Sequence, residues 1–147
     1  MVPSILVVCV GNICRSPVAE GLLRRDVPSV KLGSAGLHAV VGHGTQTEMV
    51  ALARGIDLDL TAHRARQFTP AIGKEHDLIL VMERAHRDDI SRIAPHLTAR
   101  TMLFDHWSGA KGIADPYQNG QTAYEQAFAE ILDASKTWAT RLASWSI

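Results

Sequence analysis

Two cysteines, an arginine and a serine fall within eight residues near the start of the chain, in Cys9-Val10-Gly11-Asn12-Ile13-Cys14-Arg15-Ser16. A thiolate is a strong nucleophile at neutral pH, and a planar guanidinium can hold two oxygens of one phosphoryl group. A cysteine followed six residues later by an arginine, wrapped round an anion, is therefore suited to phosphoryl transfer through a covalent intermediate. The flanks support this. Ser4 to Val10 is a continuous apolar, β-branched run, as expected of a buried parallel strand. Ser16-Pro17 then reads as an N-cap and the first position of a helix. Such a helix start leaves unpaired N–H groups and partial positive charge. Gly11 and Asn12 tolerate the backbone angles of a loop whose N–H groups turn inward. Val10, Gly11, Asn12, Ile13, Cys14 and Ser16 are thus expected to line an anion cradle. The same field favours a Cys9 thiolate, Arg15 clamps the phosphate, and Ser16 donates to the sulfur. No Gly-Lys-Ser/Thr follows, so this is not a nucleotide-binding glycine loop. The plain alternative, a buried structural cysteine beside a capped helix, suits Cys9 alone better than it suits the whole loop.

Departure of an alkoxide or phenoxide needs a proton. Asp115-Pro116-Tyr117 lies in a long loop, 105 to 120, beyond the fourth expected strand. Asp115 is the candidate general acid, and Tyr117 a wall for an aromatic ring. Asp-Pro is also a common turn start, so this triplet carries weight only beside the cysteine loop. Metal ligation is not expected. The seven histidines are scattered, without ligand-like spacing to carboxylates.

Strands and helices alternate along the chain that must hold these groups. After the first strand, a helix runs to about Asp26 with Val18, Leu22 and Leu23 inward. Val30–Ser34 reads as a second strand, and Gly33, Gly36, Gly42 and Gly44 mark a loop. Thr47–Arg54 reads as a helix closed by Gly55, while residues 56 to 68 are ambiguous. Asp77–Met82 is the third strand, Arg84–Ile93 a helix, and Thr101–Phe104 the fourth strand. The last helix shows a stripe from Tyr124 through Phe128, Ile131, Ser135 and Trp138 to Leu142. The pattern predicts an α/β fold: one three-layer domain over 1–147, with a four-stranded parallel sheet, helices on both faces and the phosphate loop after strand one. Ligands of such sheets bind beyond the strands' carboxyl ends, where both Cys9 and Asp115 are placed.

Composition narrows the function classes. Fifteen Lys plus Arg balance fifteen Asp plus Glu, arguing against a general binder of nucleic acid or of an anionic membrane. Two cysteines make no disulfide scaffold. The longest clean apolar run, Ile5 to Val10, is six residues, against about 20 for a membrane span. A secretory leader pattern is absent from the N-terminus, so the expectation is a cytoplasmic protein without membrane insertion.

These residues carry a resemblance. Val8 to Pro17 resembles the signature loop of the low-molecular-weight protein tyrosine phosphatases, and Asp115-Pro116-Tyr117 their acid loop. Ser34-Ala35-Gly36, Ala65-Arg66-Gln67 and Asp77 to Met82 match secondary blocks. The likeness covers nearly the whole chain. It is greatest to the bacterial members that accompany tyrosine kinases of capsule and exopolysaccharide export. It implies Cys9 as nucleophile, Arg15 as clamp and Asp115 as acid then base, with no cofactor. It also implies that Asn12, Ser16, Ser34 and His63 prop the loop. The implied substrate is a phosphotyrosine protein, such as a tyrosine autokinase tail. Many relatives carry an aromatic on the cleft rim where Leu37 to Val41 offers aliphatics, so Val40 and Tyr117 are expected to form an open wall. Cys14 is expected to act as redox partner to Cys9. Three alternatives remain. Arsenate reductases of this fold need further cysteines, and protein-arginine phosphatases resemble this chain but carry Thr at the position of Ile13. The third is a catalytically weak phosphate-binding module, which should have lost Cys9, Arg15 or Asp115.

Overall fold

The structure is a computed structural model and describes residues 3–145. Its elements are β1 (Ser4–Cys9), α1 (Arg15–Asp26), β2 (Lys31–Gly36), α2 (Thr47–Arg54), α3 (Pro70–Lys74), β3 (Leu78–Val81), α4 (Arg84–Ile93), a 3-10 turn (Pro95–Arg100), β4 (Thr101–Leu103) and α5 (Gln121–Trp145). The four strands form one parallel sheet in the order β2-β1-β3-β4. β1 is central because both its faces are apolar. Ile5, Val7 and Cys9 pack into a core with Val18 and Leu22 of α1, Met49 of α2, and Ile131 and Trp138 of α5. Leu6 and Val8 point the other way, into a second core with Ile90 of α4 and Leu97 of the 3-10 turn. This is the expected three-layer arrangement, and it brings the β1–α1, β2–α2, β3–α4 and β4–α5 connections to one edge.

Several boundaries differ from the sequence reading. β1 ends at Cys9, and β2 continues through Gly33 to Gly36, which were expected to mark a loop. Gly36 is there for contact: a Cβ on it would lie 2.4 Å from the Val10 carbonyl oxygen. α1 starts at Arg15 with Cys14 at the N-cap, so Ser16 is not the cap. Pro17 becomes the third helical residue, where its missing N–H is still among the four that a helix start leaves unpaired. Of Gly11 and Asn12, both expected to tolerate unusual backbone angles, only Asn12, at φ 58°, is left-handed. Gly55 ends α2 with an ordinary helical φ of −63°, and the left-handed residue is Asp57. The ambiguous stretch stays irregular up to α3. There Thr69 Oγ1 accepts the Ile72 N–H at 3.2 Å, and Pro70 takes the first helical position.

Candidate active site

The loop from Cys9 to Arg15 is held open from outside. The carbonyl of Cys9 accepts Leu37 N–H, that of Val10 accepts His38 N–H, that of Gly11 accepts Val40 N–H, and that of Ile13 accepts Gln46 N–H, at 2.7 to 3.0 Å. The Asn12 carbonyl oxygen lies 2.6 Å from His63 Nε2, which must carry the proton and donate. With the carbonyls all turned outward, the N–H groups face the other way. Among the described residues, no hydrogen bond uses the N–H groups of Gly11 to Arg15 as donors. N–H groups disposed in this way suit an anion.

Asn12 locks the loop from within. It is fully buried. Its Nδ2 donates to Ser16 Oγ at 2.8 Å and to Ser34 Oγ at 3.1 Å, and its Oδ1 accepts Arg66 N–H at 2.9 Å. Ser34 Oγ passes its proton toward Glu20 Oε1 at 2.6 Å. Ser16 Oγ, already accepting from Asn12, has its own proton available for Cys9 Sγ at 3.0 Å. Ser16, Ser34 and His63 therefore all meet at Asn12.

Arg15 is only 1% exposed, and its hydrogen bonds hold one side of the guanidinium. Its NH1 donates to Glu83 Oε2 at 2.7 Å and to the Ile113 carbonyl at 2.6 Å. Both anchors grip the same nitrogen. The opposite edge of the guanidinium, Nε and NH2, is left to present two parallel N–H groups to an anion. NH2 lies 3.8 Å from Asp115 Oδ2. Asp115 is fixed as an Asx turn, with Oδ1 accepting Tyr117 N–H at 3.0 Å. Burial, followed by the nearby Cys9 and Asp115, pushes the Cys14 thiol well above the ordinary cysteine range, so Cys14 stays protonated.

Cys9, Arg15 and Asp115 converge on one cleft of about 420 Å³, lined by the loop except Asn12, and by Tyr117, Val40, His38, His43 and Gln46. Tyr117 and Val40 are exposed on its rim. A larger groove of about 640 Å³ lies behind the loop. Its arginines mostly stitch backbone: Arg25 donates to Ile56 O, Arg64 to His63 O and Arg66 to Ser34 O. The smaller cleft is where reactive groups meet. The sequence reading missed Glu83 and the 37–46 segment that turns the loop carbonyls outward. Glu83 follows β3 at the strands' carboxyl edge, and that position was its only signal.

The model of the low molecular weight phosphotyrosine protein phosphatases matches residues 4–145. The chain belongs to this family. The low molecular weight protein-tyrosine-phosphatase Etp of Escherichia coli K12 is 43% identical over 139 residues, 95% of this chain and 94% of that one. The solved tyrosine phosphatase Wzb of Escherichia coli K30, in complex with sulphate, is 46% identical with a TM-score of 0.93, covering 97% of this chain and 99% of that one. The YwlE arginine phosphatase of Geobacillus stearothermophilus shares the fold at 30% identity and a TM-score of 0.89, covering 97% and 94%. Thus the loop, the Asp115 turn and the sheet edge between them belong to a phosphatase family fold, with Glu83 bonded to Arg15.

Proposed function

We propose that the protein hydrolyses phosphotyrosine in proteins through a phosphocysteine intermediate. The observation that carries this is the posture of Arg15, pinned at NH1 so that its free edge meets the same cradle as Cys9 Sγ and the same cleft as Asp115. Phosphate oxygens bind the loop N–H groups and Arg15 Nε and NH2. The Cys9 thiolate, steadied by the Ser16 hydroxyl, attacks phosphorus opposite the phenolic oxygen. As the P–O bond breaks, Asp115 gives its proton to that oxygen and tyrosine leaves. Asp115, now a carboxylate, takes a proton from a water that attacks the phosphocysteine. Phosphate departs and the thiolate is restored. The rate comes from positioning and from charge placed in advance of the transition state. Peroxide oxidation of Cys9 to a sulfenic acid is answered by Cys14, whose thiol displaces the hydroxyl as water to form a disulfide.

Etp and Wzb carry the name tyrosine phosphatase, which supports the substrate class. The open aliphatic rim of Val40 and Val41 suits a flexible phosphotyrosine segment, such as the tail of a bacterial tyrosine autokinase. The enzyme then opposes that kinase in exopolysaccharide production, in the cytoplasm, with 1–147 acting as one catalytic domain. The similarity to an arginine phosphatase supports a second reading. Ile13, an apolar side chain in the loop, favours the aromatic ester. Purified protein with chelator present should turn over para-nitrophenyl phosphate and a phosphotyrosine peptide. It should leave phosphoarginine intact. Cleavage of phosphoarginine alone would replace the proposal by the second reading, and cleavage of none would leave a binding module.

A further inference from the structure

We propose that His86, a buried histidine with no part in the chemistry above, is a positioning residue for the phosphate clamp, acting on Arg15 through Glu83. It rests on the reading of Arg15 as the clamp.

His86 is the third residue of α4 and is 4% exposed. Its Nδ1 accepts the backbone N–H of Glu83, the N-cap, at 3.2 Å. A ring nitrogen that accepts carries no proton, so the proton of the neutral ring sits on Nε2. Nε2 faces Glu83 Oε2 at 3.4 Å, a long contact whose N–H dipole still points at the carboxylate. That same oxygen takes Arg15 NH1 at 2.7 Å. One imidazole thus holds Glu83 at both its backbone and its carboxylate, and Glu83 holds the nitrogen that sets which edge of the guanidinium meets phosphate. The Glu83 side chain is 40% exposed and has rotamer freedom to lose. Without His86 the carboxylate can swing toward water and take Arg15 NH1 with it.

The charge environment agrees with this geometry. Arg15 from α1 opposes a cationic ring, while Glu83, Asp89 and Asp115 favour it. Burial weighs most and Arg15 adds to it, so the pKa of His86 lies below the ordinary histidine value. A protonated ring would lose the Nδ1 acceptor and release the Glu83 N–H. The neutral Nε2–H tautomer is the only form that makes both contacts.

Two measurements on the full chain test this. Nitrogen-15 labelling of histidine in the wild type should show His86 at pH 7 neutral with the proton on Nε2. A cationic ring, or a proton on Nδ1, overturns the proposal. The dissociation constant for inorganic phosphate, by NMR titration, should rise roughly threefold to tenfold in His86→Leu. It should rise no further when His86→Leu is added to Glu83→Ala, because the link from ring to clamp is already cut. An equal rise in both backgrounds, or none in the wild-type background, reduces His86 to a helix cap and overturns the proposal. If His86→Leu does not fold, His86→Phe serves, whose ring fills similar space and can bond to neither the Glu83 backbone nor its carboxylate. Its phosphate affinity should weaken in the wild-type background and not in Glu83→Ala, and an unchanged affinity overturns the proposal. Phosphate binding needs no turnover. A protein that binds phosphate with this coupling but hydrolyses no ester would sink the proposed function and leave the His86 link standing.

Discussion

The phosphate loop, locked from behind by Asn12, and the loop that carries Asp115 form two walls of the cleft and are held in opposite ways. Asn12 is fully buried, in a left-handed conformation, and its side chain bonds to Ser16, Ser34 and the Arg66 backbone. The Asp115 side chain is 44% exposed and is held by one turn bond from Tyr117. Its loop contains Gly109, Ala110, Gly112, Gln118 and Gly120, all with positive φ. The phosphate loop is thus over-determined, with carbonyls and side chains both fastened from behind. The acid loop is a run of turns anchored by few contacts, chiefly Asp105 Oδ2 with Lys111 N–H and Gly112 N–H, and Ile113 N–H with the Met82 carbonyl. The contrast fits the division of labour. Charge stabilisation demands groups fixed before the reaction. A group that delivers a proton to a substrate entering from solvent needs access, and is better placed on a looser wall.

Cys9→Ser strikes the fixed wall hardest. A serine hydroxyl is a far weaker nucleophile than a cysteine thiolate, so turnover should fall by at least about a thousandfold while phosphate binding survives. Activity above about one per cent of wild type, in a stopped assay with para-nitrophenyl phosphate, would end the covalent mechanism. Arg15→Lys keeps the charge and removes the fork. An ammonium cannot hold Glu83, the Ile113 carbonyl and two phosphate oxygens together, and a loss of about 10²–10³ in kcat is expected. A drop smaller than tenfold would mean that charge alone suffices.

Asp115→Asn probes the loose wall. The loss should be about a hundredfold for phosphotyrosine and much smaller for para-nitrophenyl phosphate, whose leaving group departs with little help. The pH–rate profile should lose the limb that belongs to the acid. Equal losses across leaving groups would make Asp115 structural. Gly36→Ala separates the walls in a milder way. Its Cβ must push the Val10 carbonyl, so phosphate affinity and kcat should both weaken, by about tenfold, without any change in leaving-group dependence. Unchanged phosphate binding would show that the loop has slack that its hydrogen bonds do not suggest.

The two walls also differed in how far they could be read from sequence. Cys9, Arg15 and Ser16 are close along the chain, between a strand and a helix whose patterns are strong, so their convergence is local. Asp115 was legible through its position in an over-long loop at the right edge. Glu83 was not, because a glutamate after a strand is an ordinary surface residue until Arg15 arrives from 68 positions away. The 37–46 segment contributes backbone N–H groups, which every residue type carries, so nothing in its side chains announces the role. Gly36 read as a loop marker because a glycine needed for close approach looks the same as one needed for a turn. Ser16-Pro17 was placed two positions out, since the Ser16 hydroxyl that suited a cap is committed to Cys9 instead.

The smallest expected effect concerns Cys14, which lies in the fixed wall but is absent from the chemistry. It is 5% exposed, packed in the core that holds Cys9, and close enough to Cys9 for that charge to raise its pKa. A protonated, buried thiol is slow to react with peroxide, so Cys9 should be oxidised first. The same protonation slows attack of Cys14 on the sulfenic acid. Disulfide formation should therefore quicken as pH rises, since each unit of pH raises the thiolate fraction about tenfold while the group remains mostly protonated. In untreated Cys14→Ser, kcat should stay within roughly tenfold of wild type, because the side chain packs in the core beside Cys9 and serine is of similar size. After mild peroxide, a dithiol should restore wild-type activity, while the loss in Cys14→Ser should be largely irreversible. The peptide linking Cys9 and Cys14 should appear by mass spectrometry, and more of it at pH 8 than at pH 6. Equal recovery in both proteins, or no linked peptide at either pH, would leave Cys14 as packing under the loop.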